Sequence, residues 1–158
     1  MNSPRLAAGL LLMAASAAHG ANCFISSLPA LNFGNYNPFS ASPLDSTTTA
    51  GVFCIRTVAT ETVTMNITLS TGGSGSYFPR KLRDPLNNPL DYNLYGDAGR
   101  TVIFGNGTPG TSTYGVAFVL NAGRPFISIP VNIYGRISAG QDPRVGSYSD
   151  TVIFTVNY

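Results

Sequence analysis

The sequence predicts a single all-β domain, an antiparallel sandwich of seven or eight short strands. Three observations lead there. Gly and Pro, 17 and 11 residues in a chain of 158, break the sequence every ten or so positions, which suits strands joined by turns. Between the breaks the apolar residues alternate at period two, most clearly Val63, Met65, Ile67 and Leu69. No stretch after residue 20 carries the apolar period of an amphipathic helix, and no internal repeat or linker divides the chain.

Residues 1–20 are set apart first. Arg5 precedes an apolar run over 6–18, and Ala18 and Gly20 fit a signal-peptidase site with cleavage after Gly20. The run is too short for a membrane span. Asn22 stands where a lipoprotein would place a small residue before its cysteine, so the expectation is a signal peptide over 1–20 and an exported domain over 21–158. Its first strands are 23–26 and 31–33. The longest stretch after the signal free of Gly and Pro, 52–71, is dominated by β-branched residues and reads as a half-buried strand. "SGSYFPRKLRD" adds a short edge strand, and 90–95, 116–120, 126–131 and 133–137 follow. The last strand, 151–158, puts Val152, Phe154, Val156 and Tyr158 on one face and Thr151, Ile153, Thr155 and Asn157 on the other.

Composition excludes several functions. Formal net charge is +2 with Arg5 included, which gives no basic patch for nucleic acid. Arg80, Lys81 and Arg83 cluster in "PRKLRD", which reads as a solvated loop. Charged residues are 10% of the chain, and Ser, Thr, Asn, Gly and Tyr supply the polarity instead, as in extracellular β proteins. Cys23 and Cys54 both follow the signal and are expected to pair in an oxidising compartment, closing a loop of about thirty residues.

Catalysis and cofactors find little support. His19, the one histidine, lies in the signal segment, so the domain has no imidazole for a triad or a metal. Of the acids Asp45, Glu61, Asp84, Asp91, Asp97, Asp142 and Asp150, all but Glu61 sit where Asp serves turn geometry. The oxygen-rich run 84–99 matches no calcium loop and reads as turn formers around a strand. "GNGTPG" at 105–110 fits the spacing of a dinucleotide loop, but Pro109 denies the helix that must open there. Asn66-Ile67-Thr68 and Asn106-Gly107-Thr108 are glycosylation sequons on paper only. The chain is read as neither an enzyme nor a cofactor carrier.

The terminal strand poses a structural problem. An immunoglobulin-type sandwich places a further strand beside it, and without one an apolar groove and unpaired backbone groups are left open. Donor-strand complementation by a second chain is a solution of that type.

A family resemblance runs through nearly all of 21–158. It is carried by Cys23, "FGNY" (33–36), "GVFC" ending at Cys54, "PRKLRD" (79–84), "LDYNLYGDAGRT" (90–101), "FGNG" (104–107), "YGRI" (134–137) and "GSYSDTVIFTVNY" (146–158). In these the chain resembles the spore coat protein U domain family, the subunits of archaic, Csu-type chaperone–usher pili. Phe104 stands where that family usually shows Trp. The resemblance implies an incomplete immunoglobulin-like sandwich lacking one strand. A periplasmic chaperone would lend that strand, and at an outer-membrane usher a neighbouring subunit's N-terminal extension would replace it. Val152, Phe154 and Val156 would line the groove, and the Tyr158 carboxylate would meet a basic anchor on the chaperone.

It further implies display on the cell surface and a role in attachment and biofilm formation. Shaft subunits of the family carry an alternating extension before the first cysteine. Here Ala21 and Asn22 alone separate the expected cleavage point from Cys23, a span of about 7 Å. The expectation is a subunit that accepts a strand without giving one, at a tip or minor position. The alternative reading is a free-standing secreted coat or matrix protein. A ligand-binding role would use the glycine-rich loops 70–78 and 101–114, with Tyr77 and Phe104 as adhesive tips.

Overall fold

The computed structural model describes residues 21–158; the expected signal peptide lies outside the described residues. Eight strands form, β1 (Asn22–Ser27), β2 (Leu44–Ile55), β3 (Glu61–Leu69), β4 (Arg80–Arg83), β5 (Pro89–Tyr95), β6 (Tyr114–Leu120), β7 (Phe126–Ile137) and β8 (Phe154–Asn157), with one 3-10 turn at Gly72–Ser74. They make two antiparallel sheets, a five-stranded one in the order β1-β2-β7-β5-β4 and a three-stranded one in the order β6-β3-β8. The fold is all-β, as the sequence predicts, and agrees with an immunoglobulin-like sandwich.

The inward rows fill the space between the sheets. Ala50, Val52 and Cys54 of β2, Ile129, Val131, Ile133 and Ile137 of β7, and Val63, Met65, Ile67 and Leu69 of β3 are all buried. Each large apolar side chain fully buried here contributes about 1.5–3 kcal/mol relative to exposure. Cys23 and Cys54 face each other across β1 and β2 and form the disulfide, with a sequence separation of 31.

Three sequence expectations change. The stretch 52–71 is two strands, since β2 ends at Ile55 and β3 begins at Glu61. Between them the Glu61 carboxylate accepts the Thr57 N–H at 2.8 Å and stabilises the turn. Residues 31–33 are not a strand. Leu31 and Phe33 lie on the inner face of β7, where a Cβ on Gly135 would meet the Phe33 ring at 2.7 Å, so glycine is what admits them. The expected strands 126–131 and 133–137 are one, β7, and it passes through Pro130.

That proline is tolerated for a geometric reason. Arg56 N–H donates to the Pro125 carbonyl at 2.9 Å, which fixes the alternation of the β2–β7 ladder and makes Gly51–Pro130 a pair without hydrogen bonds. The proline nitrogen therefore points away from β2. On that side β5 reaches only Tyr134–Ile137, so no ladder bond is lost.

Candidate functional site: the open edge between β1 and β8

The register of β1 decides which backbone groups are free. Cys23 and Cys54 have a Cα–Cα distance of 4.1 Å, the narrow spacing of a pair without mutual backbone bonds. Cys23, and Ile25 two residues on, therefore direct N–H and C=O away from β2, while Phe24 spends its own on β2. Among the described residues no second strand pairs with β1.

β8 is built the same way. Ser70 N–H donates to the Ile153 carbonyl at 3.0 Å, so the hydrogen-bonded pairs with β3 fall at Ile153, Thr155 and Asn157. Phe154 and Val156 then turn their backbone groups away from β3, and among the described residues β8 pairs with β3 alone.

The two free edges face one another. The Tyr158 hydroxyl donates to the Cys23 carbonyl at 3.0 Å, so a side chain bridges a gap that no ladder closes. The rows beneath that gap are incompletely covered. Ile25 shares the inward face of β1 with Cys23 and yet is 41% exposed, and Tyr158, on the inward row of β8, is 56% exposed. Phe154 is buried, and Val152 and Val156 are half-buried against the core. An added strand between β1 and β8 would find N–H and C=O groups on both sides and apolar side chains below.

The approach to β8 is held firmly. The Asp150 carboxylate accepts N–H groups of Gly73 and Thr151, both at 2.8 Å, and the Tyr92 hydroxyl at 2.7 Å. Burial, and then the hydrogen bond to Asp150, push the Tyr92 pKa far above its ordinary value. Ser149 exchanges backbone bonds of 2.8 and 3.0 Å with Arg83, an isolated bridge at the end of β4.

The structure corrects two expectations about "PRKLRD" and the loop aromatics. Arg80 is not solvated but fully buried. Its guanidinium donates to the Ser70 carbonyl through Nε (3.0 Å) and Nη2 (2.9 Å), to Asn93 Oδ1 (2.8 Å) and to the Phe104 carbonyl (2.7 Å). It also lies 4.8 Å from the centre of the Tyr77 ring. Burial lowers its pKa from the ordinary arginine value, with Tyr92, Tyr77 and Asp150 opposing. Tyr77 and Phe104, the tips that a ligand-binding role would use, are both buried. The Tyr77 hydroxyl donates to the Leu69 carbonyl at 2.8 Å, so both aromatics serve the core.

In the run 84–99 two of the three carboxylates cap turns, while Asp91 lies in β5 and pairs with Lys81 at 2.6 Å. Asp84 accepts the N–H groups of Leu86 and Asn88, and Asp97 those of Thr101 and Val102.

The Spore Coat Protein U domain family matches residues 10–155. The chain belongs to the spore coat protein U domain family. Protein U of Myxococcus xanthus is 33% identical over 135 residues, spanning 81% of this chain and 71% of that protein. Among solved structures, the CsuC–CsuE chaperone–tip adhesion subunit pre-assembly complex from archaic chaperone-usher Csu pili of Acinetobacter baumannii aligns with a TM-score of 0.49 at 18% identity, covering 87% of this chain and 40% of that one. A chaperone–tip adhesin complex of CFA/I fimbriae biogenesis aligns with a TM-score of 0.49 at 15% identity, covering 86% of this chain and 40% of that one. The chain thus spans well under half the length of either structural neighbour.

Proposed function

We propose that this spore coat protein U domain is an exported subunit of an archaic chaperone–usher pilus, and that it accepts a strand between β1 and β8. The observation that carries the reading is the pair of facing, unpaired edges, with Ile25 left 41% exposed on an inward face. A periplasmic chaperone would fill the gap first, and a neighbouring subunit would replace it at the outer-membrane usher. The incoming strand would pair with Cys23 and Ile25 on one side and Phe154 and Val156 on the other. Each backbone bond so made is worth about 0.5–1.5 kcal/mol. Covering Ile25, Val152 and Val156 adds apolar burial, and pairing at Cys23 requires the Tyr158 hydroxyl to leave its carbonyl.

The same proposal includes export through a cleaved leader over 1–20, a strand-accepting place at a tip or minor position, and a part in attachment and biofilm formation. Ala21 is buried and Asn22 is paired with Ile55, so these two residues are already committed to the fold. The test is expression of residues 21–158 alone and with its chaperone. The proposal expects a soluble one-to-one complex with the chaperone, and a lone domain that folds with this edge open and takes up an added strand. The second reading, a free-standing coat or matrix protein, draws on the family's description as a spore coat domain. It expects a stable, soluble monomer that ignores the chaperone.

A further inference from the structure

Beside the free edge of β1, the outer face of the five-stranded sheet carries an aromatic strip. Phe24 of β1 is 50% exposed and Phe126 of β7 is 55% exposed. Phe53 of β2 lies between them, its ring centre 5.5 Å from that of Phe24 and 5.7 Å from that of Phe126, the latter pair stacked. Ile55, directly across from Phe126, is exposed as well. Within the strands the charged residues of these outward rows, Asp45 and Arg136, pair with each other at the far end of the sheet, while Arg56 and Arg124 flank the strip just outside β2 and β7.

The solvated face of an antiparallel sheet is normally polar, and the sandwich core does not need these rings. Contiguous exposed apolar surface of this kind marks a contact site. The free edge says what covers it. A strand added to β1 in either direction bonds to the free N–H and C=O groups of Cys23 and Ile25, and its residues opposite these two point into the cleft. The residue between those partners falls opposite Phe24 and points to the outer face.

We infer that the strand-donating partner carries an apolar side chain at that outward position, so that its strand is apolar on both faces where it passes β1. Phe24, Phe53 and Phe126 form the docking strip for that outward row and the partner surface continuous with it. This rests on the strand-accepting reading and adds the chemistry of the partner. It separates a true donor from any strand that merely alternates apolar and polar residues, because the polar row of such a strand would sit against phenylalanine.

The test compares two synthetic peptides on residues 21–158. One alternates Val and Thr, and in the other every Thr is Leu. Affinity is measured together with amide exchange at Cys23 and Ile25, for the natural domain and for Phe24→Thr and Phe126→Thr. Both phenylalanines are half exposed, so the variants keep the core. The inference expects both peptides to slow exchange at Cys23 and Ile25, and the Leu peptide to bind the natural domain about fivefold tighter or better. That gain should vanish in Phe24→Thr and shrink in Phe126→Thr. Binding and protection with the same preference in Phe24→Thr overturn the inference and leave strand acceptance intact. Absence of binding and protection by either peptide overturns strand acceptance and the inference with it. Self-association without peptide that is lost in Phe24→Thr assigns the strip to a contact between copies and also overturns it.

Discussion

Two seams join the sheets, one at the end of β3 and one between the edge strands β8 and β1, and they are built in opposite ways. Where β3 ends against β4, a buried guanidinium joins the sheets. Arg80 reaches the Ser70 carbonyl, Asn93 and the Phe104 carbonyl, and Ser149 bridges to the end of β4 at Arg83. Where β8 faces β1, a single hydroxyl, that of Tyr158, reaches the Cys23 carbonyl. A chain that fills one seam with buried hydrogen bonds leaves Cys23, Ile25, Phe154 and Val156 without a ladder partner at the other, where the Tyr158 hydroxyl takes only the Cys23 carbonyl. The open seam is thus a local feature of a well-ordered domain, of the kind a second chain can complete.

The largest effect should come from breaking the closed seam. Arg80→Met removes the hydrogen bonds to the part-buried Ser70 carbonyl, the buried Phe104 carbonyl and Asn93 Oδ1, which keeps the Leu94 N–H. A buried acceptor left unpaired costs about 1–3 kcal/mol. Urea unfolding should show a loss of roughly 3–5 kcal/mol, a large share of an ordinary domain's stability. A loss below about 1 kcal/mol would show that the seam closes without the guanidinium. Arg80→Lys should also destabilise, because an ammonium cannot reproduce the fork.

Next comes the disulfide, which ties the free-edged strand to β2. Cys23→Ser with Cys54→Ser should cost about 3–4 kcal/mol on the chain-entropy model. It should also raise amide exchange in β1 more than in β7, because β1 has one neighbour and β7 has β2 along its whole length.

The pH dependence divides between the two limbs. The bidentate hydrogen bond from Arg136 holds Asp45 below the usual carboxylate range. Its contribution is present above the ordinary aspartate pKa, about 4, and is lost as pH falls through the lowered folded value. Tyr92 is shifted the other way, by burial and by Asp150. Its contribution is complete below about pH 10 and is lost as pH rises, because the unfolded chain ionises first. Melting temperatures should therefore fall on both sides of a plateau. Asp45→Asn should flatten the acid limb and Tyr92→Phe the alkaline one; variants that leave both limbs unchanged would contradict these assignments.

The smallest effect should be at the open seam itself. Tyr158→Phe removes one hydrogen bond from a half-exposed ring and should cost no more than about 1 kcal/mol. By freeing the Cys23 carbonyl it should quicken uptake of an added strand. Stopped-flow binding at rates equal to those of the natural domain would show that the hydroxyl does not guard the edge.

The sequence made the strands visible wherever an apolar row alternated with a polar one, as in β3, β5, β6 and the inward row of 151–158. It failed where the inward row was itself polar. The first half of β2 turns Ser46 and Thr48 inward, where their hydroxyls donate to the carbonyls of Asn32 and Pro29, so no apolar period marks it. Arg80 failed for a related reason. A charge reads as solvent-facing unless its carbonyl partners are known, and those are Ser70, just past β3, and Phe104, brought beside it only by the fold. The open edge was half legible. Alternation in 151–158 located one side, but Ile25 and Phe24 look like any residues of a short strand until the register with β2 shows which backbone groups are free.

Amide hydrogen exchange, resolved by residue in the folded domain without a partner, tests the central claim most directly. The account predicts that Cys23, Ile25, Phe154 and Val156 exchange fast while Phe24 and Thr155, their neighbours along the same strands, exchange slowly. Uniform protection along β1 and β8, matching that of the β2–β7 ladder, would contradict it.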